Sequence, residues 1–301
     1  MNKIQFEKPD LTELQKNYTV VDLHVHSHYS DGKNSIPEIA GRAQELGIGI
    51  AVTDHNDIRG AVEIDTHQEI LTVPGIEITA KEGTHVLVYF YDIESLKKFY
   101  RLHVKPFKGD KLMSSISLDI DGIIQRARRF KVLVIFPHPY SSAYIGVCNP
   151  LLTIGHQQRL FDMSDGVEAI NSENLNKWNL KGSLLGFNLN KAVTGGSDGH
   201  DLYEIGKAVS YASCKNNRES FLDAVKAKQN MVIGKEIDLL KKVKSNGYKL
   251  RTNLKNYPDL VEKNFKYGYT VINTKSRLLR DNIKRSIHKR INKTGGRIKA
   301  R

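Results

Sequence analysis

Six short apolar runs in this chain end in, or open on, histidine and carboxylate side chains, with helical patterns between them. The first run is Val20-Val21-Asp22-Leu23-His24-Val25-His26. Its alternation puts His24 and His26 on one face of a strand, since successive side chains of a strand point to opposite sides. Ser-His-Tyr-Ser-Asp31-Gly32 follows at once. After Ile48-Gly-Ile-Ala-Val52 comes Thr53-Asp54-His55, and after Leu71-Thr-Val73 comes Pro74-Gly-Ile-Glu77-Ile-Thr79. The run Thr84-His85-Val-Leu-Val-Tyr-Phe90 opens on a histidine. Val132-Leu-Val-Ile-Phe136 leads into Pro137-His138-Pro-Tyr140, and Ala192-Val-Thr-Gly-Gly196 into Ser197-Asp198-Gly-His200.

The expected strands are 19–26, 48–53, 70–73, 84–91, 131–136, 166–170, 191–195 and 206–212. Amphipathic segments over 35–46, 118–129 and 217–228 separate several of them. Strands alternating with helices predict a parallel sheet, open or closed into a barrel. A parallel barrel gathers the C-terminal ends of its strands at one face, so ligands scattered along the sequence meet in space. Nine imidazole and carboxylate groups suit Zn, Mn or Fe and exceed the needs of one tetrahedral site. Two or three ions sharing carboxylates account for the number, and Glu77 and Asp198 are natural bridges because a carboxylate has two oxygens to share. Taken singly, each motif has an ordinary explanation: a histidine after a strand is usually a satisfied polar group, and Thr-Asp-His or Ser-Asp-Gly-His a capped turn. Six such places in strand order do not. His28 is expected to face substrate or solvent, His67 and His103 the surface, and His156 and His288 fit no partner pattern.

Charge divides the chain. Its net charge is +13, yet residues 241–301 hold 19 Lys and Arg against 3 Asp and Glu, a net +16, which leaves −3 for the first 240. After Gly234 the β-type alternation stops, and a boundary is expected near 235, giving a domain over 1–235 and a basic, mainly helical extension over 236–301. From 271 onward Ile272, Leu279, Ile283, Ile287 and Ile291 fall mostly at four-residue steps, as on an amphipathic helix. Such a segment suits nucleic acid through counterion release, an anionic membrane surface, or packing against the main domain. No apolar run is long enough to span a membrane, the N-terminus has no leader-like apolar core, and Cys148 and Cys214 form no metal-type pair. A cytoplasmic protein is expected. The segment 101–117 breaks the strand–helix rhythm, as a flap over the site or an ordinary long connection would.

In order, the motifs Asp22-Leu-His-Val-His-Ser-His-Tyr-Ser-Asp-Gly32, Ala51-Val-Thr-Asp-His-Asn-Asp57, Pro74 to Phe90, Phe136-Pro-His-Pro-Tyr140 and Thr194-Gly-Gly-Ser-Asp-Gly-His200 resemble the PHP superfamily of polymerase and histidinol phosphatase domains. The resemblance runs over residues 18–212. It implies a distorted (β/α)7 TIM-like barrel with a trinuclear metal centre that hydrolyses phosphate esters through a hydroxide shared between metals. Carried over, His24, His26, Glu77 and Asp198 resemble the ligands of one metal. Asp31, His55 and His200 resemble those of a second, and Glu77, His85 and His138 those of a third. Asp54 corresponds to an orienting or proton-accepting residue. By position, Arg59, Lys81, Tyr140 and Ser141 are candidates to bind substrate, whereas Lys33 reads as an ordinary exposed side chain. The expected substrate is a nucleotide or nucleic acid. A small phosphate ester, as in the histidinol phosphatase type, and a non-catalytic binding module are the alternatives.

Overall fold

A computed structural model describes residues 3–109, 114–141 and 145–237. The expected amphipathic helix over 271–291 and nearly all of the basic extension lie outside the described residues. In chain order the elements are β1 Ile4–Gln5, α1 Leu11–Leu14, β2 Thr19–Val25, α2 Ile36–Leu46, β3 Gly49–Val52, α3 Arg59–Ile64, β4 Gly75–Thr79, β5 His85–Phe90, α4 Ile93–Phe99, α5 Ile120–Ala127, β6 Val132–Phe136, α6 Ile154–Met163, β7 Gly166–Asn171, α7 Asn176–Asn188, β8 Ala192–Gly196, β9 Ala208–Ala212, α8 Arg218–Lys226 and β10 Met231–Gly234.

Local chemistry sets many of the boundaries. Pro37 sits in the first turn of α2, and Glu38 accepts from both the backbone N–H and the hydroxyl of Ser35. This satisfies donors that the helix leaves open. Gly47 closes α2 at φ 64°, a conformation glycine reaches without a Cβ penalty. Asp92, Asp119, Thr153 and Asn217 cap α4, α5, α6 and α8 with side-chain oxygens. Among the described residues no helix is long and apolar enough to cross a membrane.

The strands form two five-stranded sheets, ordered β1-β10-β9-β2-β3 and β4-β5-β6-β7-β8. Pairing is mixed rather than parallel throughout. β2–β3, β6–β7, β7–β8 and β1–β10 run parallel, whereas β4–β5, β5–β6, β2–β9 and β9–β10 run antiparallel. The cause is clearest at β4–β5, which are joined by residues 80–84 alone, with Gly83 at φ 88°. So short a connection returns the chain as a hairpin. The expected strand over 70–73 makes only a single bridge, Thr72 to Ile50. Pro74 lacks an N–H for a ladder, and pairing starts beyond it at Gly75. Among the described residues no continuous ladder closes the sheets into a barrel. Single bridges, Ile50–Thr72 and His55–Glu77 on one side and Val25–Gly199 on the other, supplement the ladders.

Strand parity decides what faces the shared interior. Ile76, Ile78, Val86, Val88, Phe90, Val132, Val134 and Phe136 pack outward with residues of α4, α5 and α6. Leu87, Tyr89, Leu133 and Ile135 face inward and meet Val21, Leu23 and Ala51 of the other sheet. Glu77 pairs with Leu87 and shares its inward parity, which brings a carboxylate to the interior. In the segment 101–117, Val104 and Ile116 are buried in the outer core, so its described part is a packed connection. It includes a π-helical turn over Tyr100–Val104.

Candidate metal centre

The β2 strand end delivers His24 and His26, both buried. Their Nε2 atoms lie 3.2 Å apart. Each also faces Glu77 Oε2 at 3.3 Å, and Asp198 Oδ1 lies 3.4 Å from His24 Nε2 and 3.0 Å from His26 Nε2. Two imidazole nitrogens turned toward one another and toward two carboxylate oxygens are the donors that a shared cation would take.

Asp31 arrives from the turn at Gly32, where an added Cβ would lie 2.2 Å from the His26 carbonyl oxygen. Asp31 Oδ1 is 3.0 Å from His200 Nε2, 3.7 Å from His26 Nδ1 and 3.9 Å from His55 Nε2. The rings of His55 and His200 both stack on the ring of His26, with centroids 4.6 and 4.5 Å from it. Glu77 completes the cluster: Oε1 meets His85 Nδ1 at 2.9 Å and His138 Nε2 at 3.2 Å, while Oε2 meets His55 Nδ1 at 3.2 Å.

Among the described residues three sets have ligand atoms mutually within 4.8 Å, namely His26/Asp31/His55/His200, His24/His26/Glu77 and His55/Glu77/His85. These differ in detail from the expected division, since His26 also joins the Asp31 group and His138 reaches the centre through Glu77 Oε1. Two further observations fit a metal. Asp31 Oδ1, His55 Nδ1 and His138 Nδ1 are buried without a well-formed hydrogen bond, although the first two have a neighbour at ion-pair distance. Second, the donors are all imidazole nitrogens and carboxylate oxygens, the set that suits Zn, Mn or Fe. The side chains of Asp31 and Asp198 are 12% and 14% exposed, against 0–1% for His24, His26 and Glu77, so the centre opens to solvent on their side.

Electrostatics follow from this crowding. Burial alone would raise Glu77, but His55, His85 and His24 hold its carboxyl well below the usual range. The same balance of burial against nearby histidines lowers Asp31 and Asp198. Burial lowers His55 to about 3, leaving it neutral and ready to donate a lone pair. Burial would lower His26 too, but its hydrogen bonds to Asp198 and Glu77 raise it to about 10.

The turn residues pay in backbone strain: Asn56, His138 and Asp198 have φ of 50°, 30° and 53°. Conformations of this kind cost residues other than glycine about 1–3 kcal/mol and cluster at functional sites. Asn56 secures its turn by accepting from Thr79 N and donating to the Ser114 carbonyl.

Asp54 is buried beside the cluster. Its Oδ1 accepts from the Ser27 N–H and the Ser30 hydroxyl, and its Oδ2 from the Ser27 hydroxyl. A carboxylate so engaged holds the 27–31 turn. Arg59 has its guanidinium in a forked pair with Asp57 and 4.7 Å over the Tyr29 ring, with its side chain 60% exposed. Lys81 is exposed, and Tyr140 and Ser141 are half-buried. Burial, with the Cys148 thiol beside it, pushes the Tyr140 hydroxyl to about 12. His28 is exposed and packs on Tyr29. His67 pairs with Glu69. His103 is half-buried between Phe99 and Phe130, and His156 pairs with Asp121 at 2.7 Å. None of these four belongs to the cluster. Lys33 pairs with Asp201 at 2.9 Å.

Sequence reasoning missed Asp22, Glu168, Asn171 and Lys108. Asp22 is fully buried, which raises its pKa to about 6, and it accepts from the N–H groups of His24, Ser197 and Gly206. It thereby ties the His24 strand to the Asp198 loop. Lys108 lies 3.7 Å from Asp57 and 3.3 Å from the Tyr100 hydroxyl. The available signal for Asp22 and Glu168 was a lone carboxylate inside an otherwise apolar strand, since such groups are rarely buried without partners.

The PHP domain family model matches residues 22–162, and an uncharacterised protein of Methanocaldococcus jannaschii is 30% identical over 167 residues, covering 50% of this chain and 81% of its own length. The chain belongs to the PHP family. Among solved structures it is similar to a two-domain protein of Bacteroides vulgatus containing a predicted PHP-like metal-dependent phosphoesterase, with a TM-score of 0.56, 17% identity and coverage of 80% of this chain and 72% of that one. It is also similar to Endonuclease Q in complex with a 27-mer duplex substrate carrying an abasic lesion at the active site, with a TM-score of 0.59, 16% identity and coverage of 73% and 60%. At these identities the likeness shows the fold.

Proposed function

We propose that the chain is a metal-dependent phosphoesterase acting on a nucleotide or nucleic acid. The observation that carries this reading is the convergence of nine imidazole and carboxylate side chains from six separate places, among them Glu77, both of whose oxygens face histidines. Their proposed roles are three ligand sets, two of which share Glu77: His24, His26, Glu77 and Asp198; Asp31, His55 and His200; Glu77, His85 and His138. These side chains would hold two or three divalent ions, which would supply Lewis acidity, bringing the pKa of water from about 15.7 toward 7 and neutralising phosphoryl oxygens.

The chain's own residues do the rest. Glu77, kept ionised by its histidines, balances positive charge at the middle of the centre. Asp54 orients the Ser27–Ser30 turn that carries Asp31, which favours an orienting over a proton-accepting role. Arg59 and Lys108, gathered about Asp57, offer cationic donors for the non-reacting part of a substrate, with Lys81, Tyr140 and Ser141 as further candidates. We read residues 1–235 as the phosphoesterase domain, a distorted barrel built from the two sheets, and 236–301 as a basic extension that recruits nucleic acid. The net +16 of 241–301 supports this partner, as does the duplex bound by Endonuclease Q. A small-molecule phosphatase, in which the extension plays no part, is the alternative.

The test offers purified full-length protein, with Mn or Zn, a phosphomonoester, a phosphodiester, a 3′,5′-bisphosphonucleoside and a short oligonucleotide. Turnover of a nucleotide or oligonucleotide that collapses in His55→Ala is expected. No turnover of any substrate, or equal turnover by that variant, would sink the reading.

A further inference from the structure

We infer that Glu168 and Asn171 of β7 form a positioning relay that fixes three of the proposed metal ligands, and that only a carboxylate at 168 can do so. This rests on the metal-centre reading above. Glu168 is 2% exposed in a strand otherwise lined by apolar side chains and Asn171. Its Oε1 lies 2.9 Å from His24 Nδ1. Because His24 Nε2 faces Glu77 and Asp198, Nδ1 is the nitrogen left to carry the proton, and donation to Glu168 fixes that tautomer. Glu168 Oε2 accepts at 2.9 Å from two other donors, the backbone N–H of His138 and the side-chain amide of Asn171. The first bond holds the residue whose φ is 30°.

Asn171 carries the relay onward. Its amide nitrogen donates one hydrogen to Glu168 and the other to Asp198 Oδ2 at 3.1 Å, while its Oδ1 accepts from Asn174 N. Both ends of the amide are thereby assigned. Its own backbone N–H and carbonyl are gripped by Asn179 of α7 at 3.1 and 2.8 Å. Asp198 keeps Oδ1 for His24 and His26 because Asn171 occupies Oδ2.

This pattern specifies the chemistry of position 168. Three N–H groups converge on its two oxygens. A glutamine offers one acceptor end and one donor end. Either orientation sets its NH2 against the His24 Nδ1–H or against the two donors at the other end. Glu168 touches His24 and His138, and through Asn171 it touches Asp198. It touches none of Asp31, His55 and His200. Its loss is therefore expected to act on part of the centre.

The experiment is Co(II) titration of metal-free, full-length wild type, Glu168→Gln and Asn171→Ala, read by bound-metal stoichiometry and visible d–d absorption, with melting of each metal-free protein as control. Wild type is expected to bind more than one Co(II). Glu168→Gln should keep a cooperative melt and one binding phase, and lose about 10–100-fold in affinity in the rest, the usual cost of removing a group that orients a ligand. Asn171→Ala should shift the same phases by less. Unchanged isotherms and spectra in Glu168→Gln overturn the inference alone. Equal weakening of every phase, with loss of the cooperative melt in both variants, overturns it in favour of a merely structural role. A wild type that takes up no Co(II) overturns the metal-centre reading, and the relay with it.

Discussion

Two halves of the proposed centre are built in different ways. His24, His26, Glu77 and His85 sit on or directly beside regular β backbone, where parity alone aims them inward. Asp31, His55, His138 and Asp198 sit on turns, held by Gly32, by the Asn56 side chain and by backbone at positive φ. Glu77 joins the halves. The difference teaches where rigidity comes from: the strand half takes it from the sheet ladders, and the turn half must take it from specific hydrogen bonds and strained conformations. Side-chain changes should therefore dominate in the first half, and backbone changes should matter in the second.

The largest effect is expected from Glu77→Ala, which removes the carboxylate that His24, His26, His55, His85 and His138 all face. Metal content should collapse, and turnover should fall by about 100-fold or more, since several kcal/mol of charge stabilisation go and each 1.36 kcal/mol is tenfold. Metal analysis of the purified variant checks this. Retained stoichiometry would mean that the two halves bind independently and that Glu77 does not join them.

Asp54→Asn comes next. Three donors occupy the wild-type carboxylate, and an amide cannot accept from all of them. The Asp31 turn should loosen, with metal affinity and turnover down about 10–100-fold. The pH–rate profile separates the two roles considered for Asp54. An orienting residue leaves the titrating limbs in place, whereas a proton acceptor takes one limb with it.

How far these halves could be read in advance follows the same division. His24 and His26 were legible because two residues apart on a strand means one face. His85 and Glu77 were legible as polar groups in apolar runs. His138 and Asp198 were legible only as polar groups just past strand ends, since no alternation encodes their φ values. Glu168 went unmarked although its strand was expected over 166–170, because a single carboxylate in an apolar strand also suits a solvent-facing position. The wholly parallel sheet failed at residues 80–84, where a five-residue connection forces a hairpin that strand–helix rhythm does not register.

Gly146→Ala tests the turn half with no change to any ligand. A Cβ there would lie 2.4 Å from the carbonyl oxygens of both His138 and Pro139. The loop must shift, at about 1–3 kcal/mol for overpacking of this kind. Binding that involves His138 should weaken, while Co(II) bound by the strand half keeps its spectrum. A variant with wild-type stability and full metal content would show that the turn half is as forgiving as an ordinary surface loop.

The smallest effect is a change of slope with pH, and it distinguishes the halves by sign. In the strand half, bonds to Asp198 and Glu77 raise His26 from 6.5 to about 10. The folded, metal-free protein then holds this proton more tightly than the unfolded chain, so the stabilisation is complete below pH 6.5 and disappears as pH rises toward 10. In the turn half, burial lowers His55 from 6.5 to about 3. There the unfolded chain binds the proton more readily, so stability is lost as pH falls from 6.5 toward 3. Metal must displace the His26 proton but finds His55 already bare. The melting-temperature gain on adding Zn should therefore grow from pH 6 to pH 9, over a range where His55 contributes no proton. A gain that stays constant across those pH values would mean that His26 is not among the groups the metal deprotonates, and would move it out of the centre that Glu77 joins.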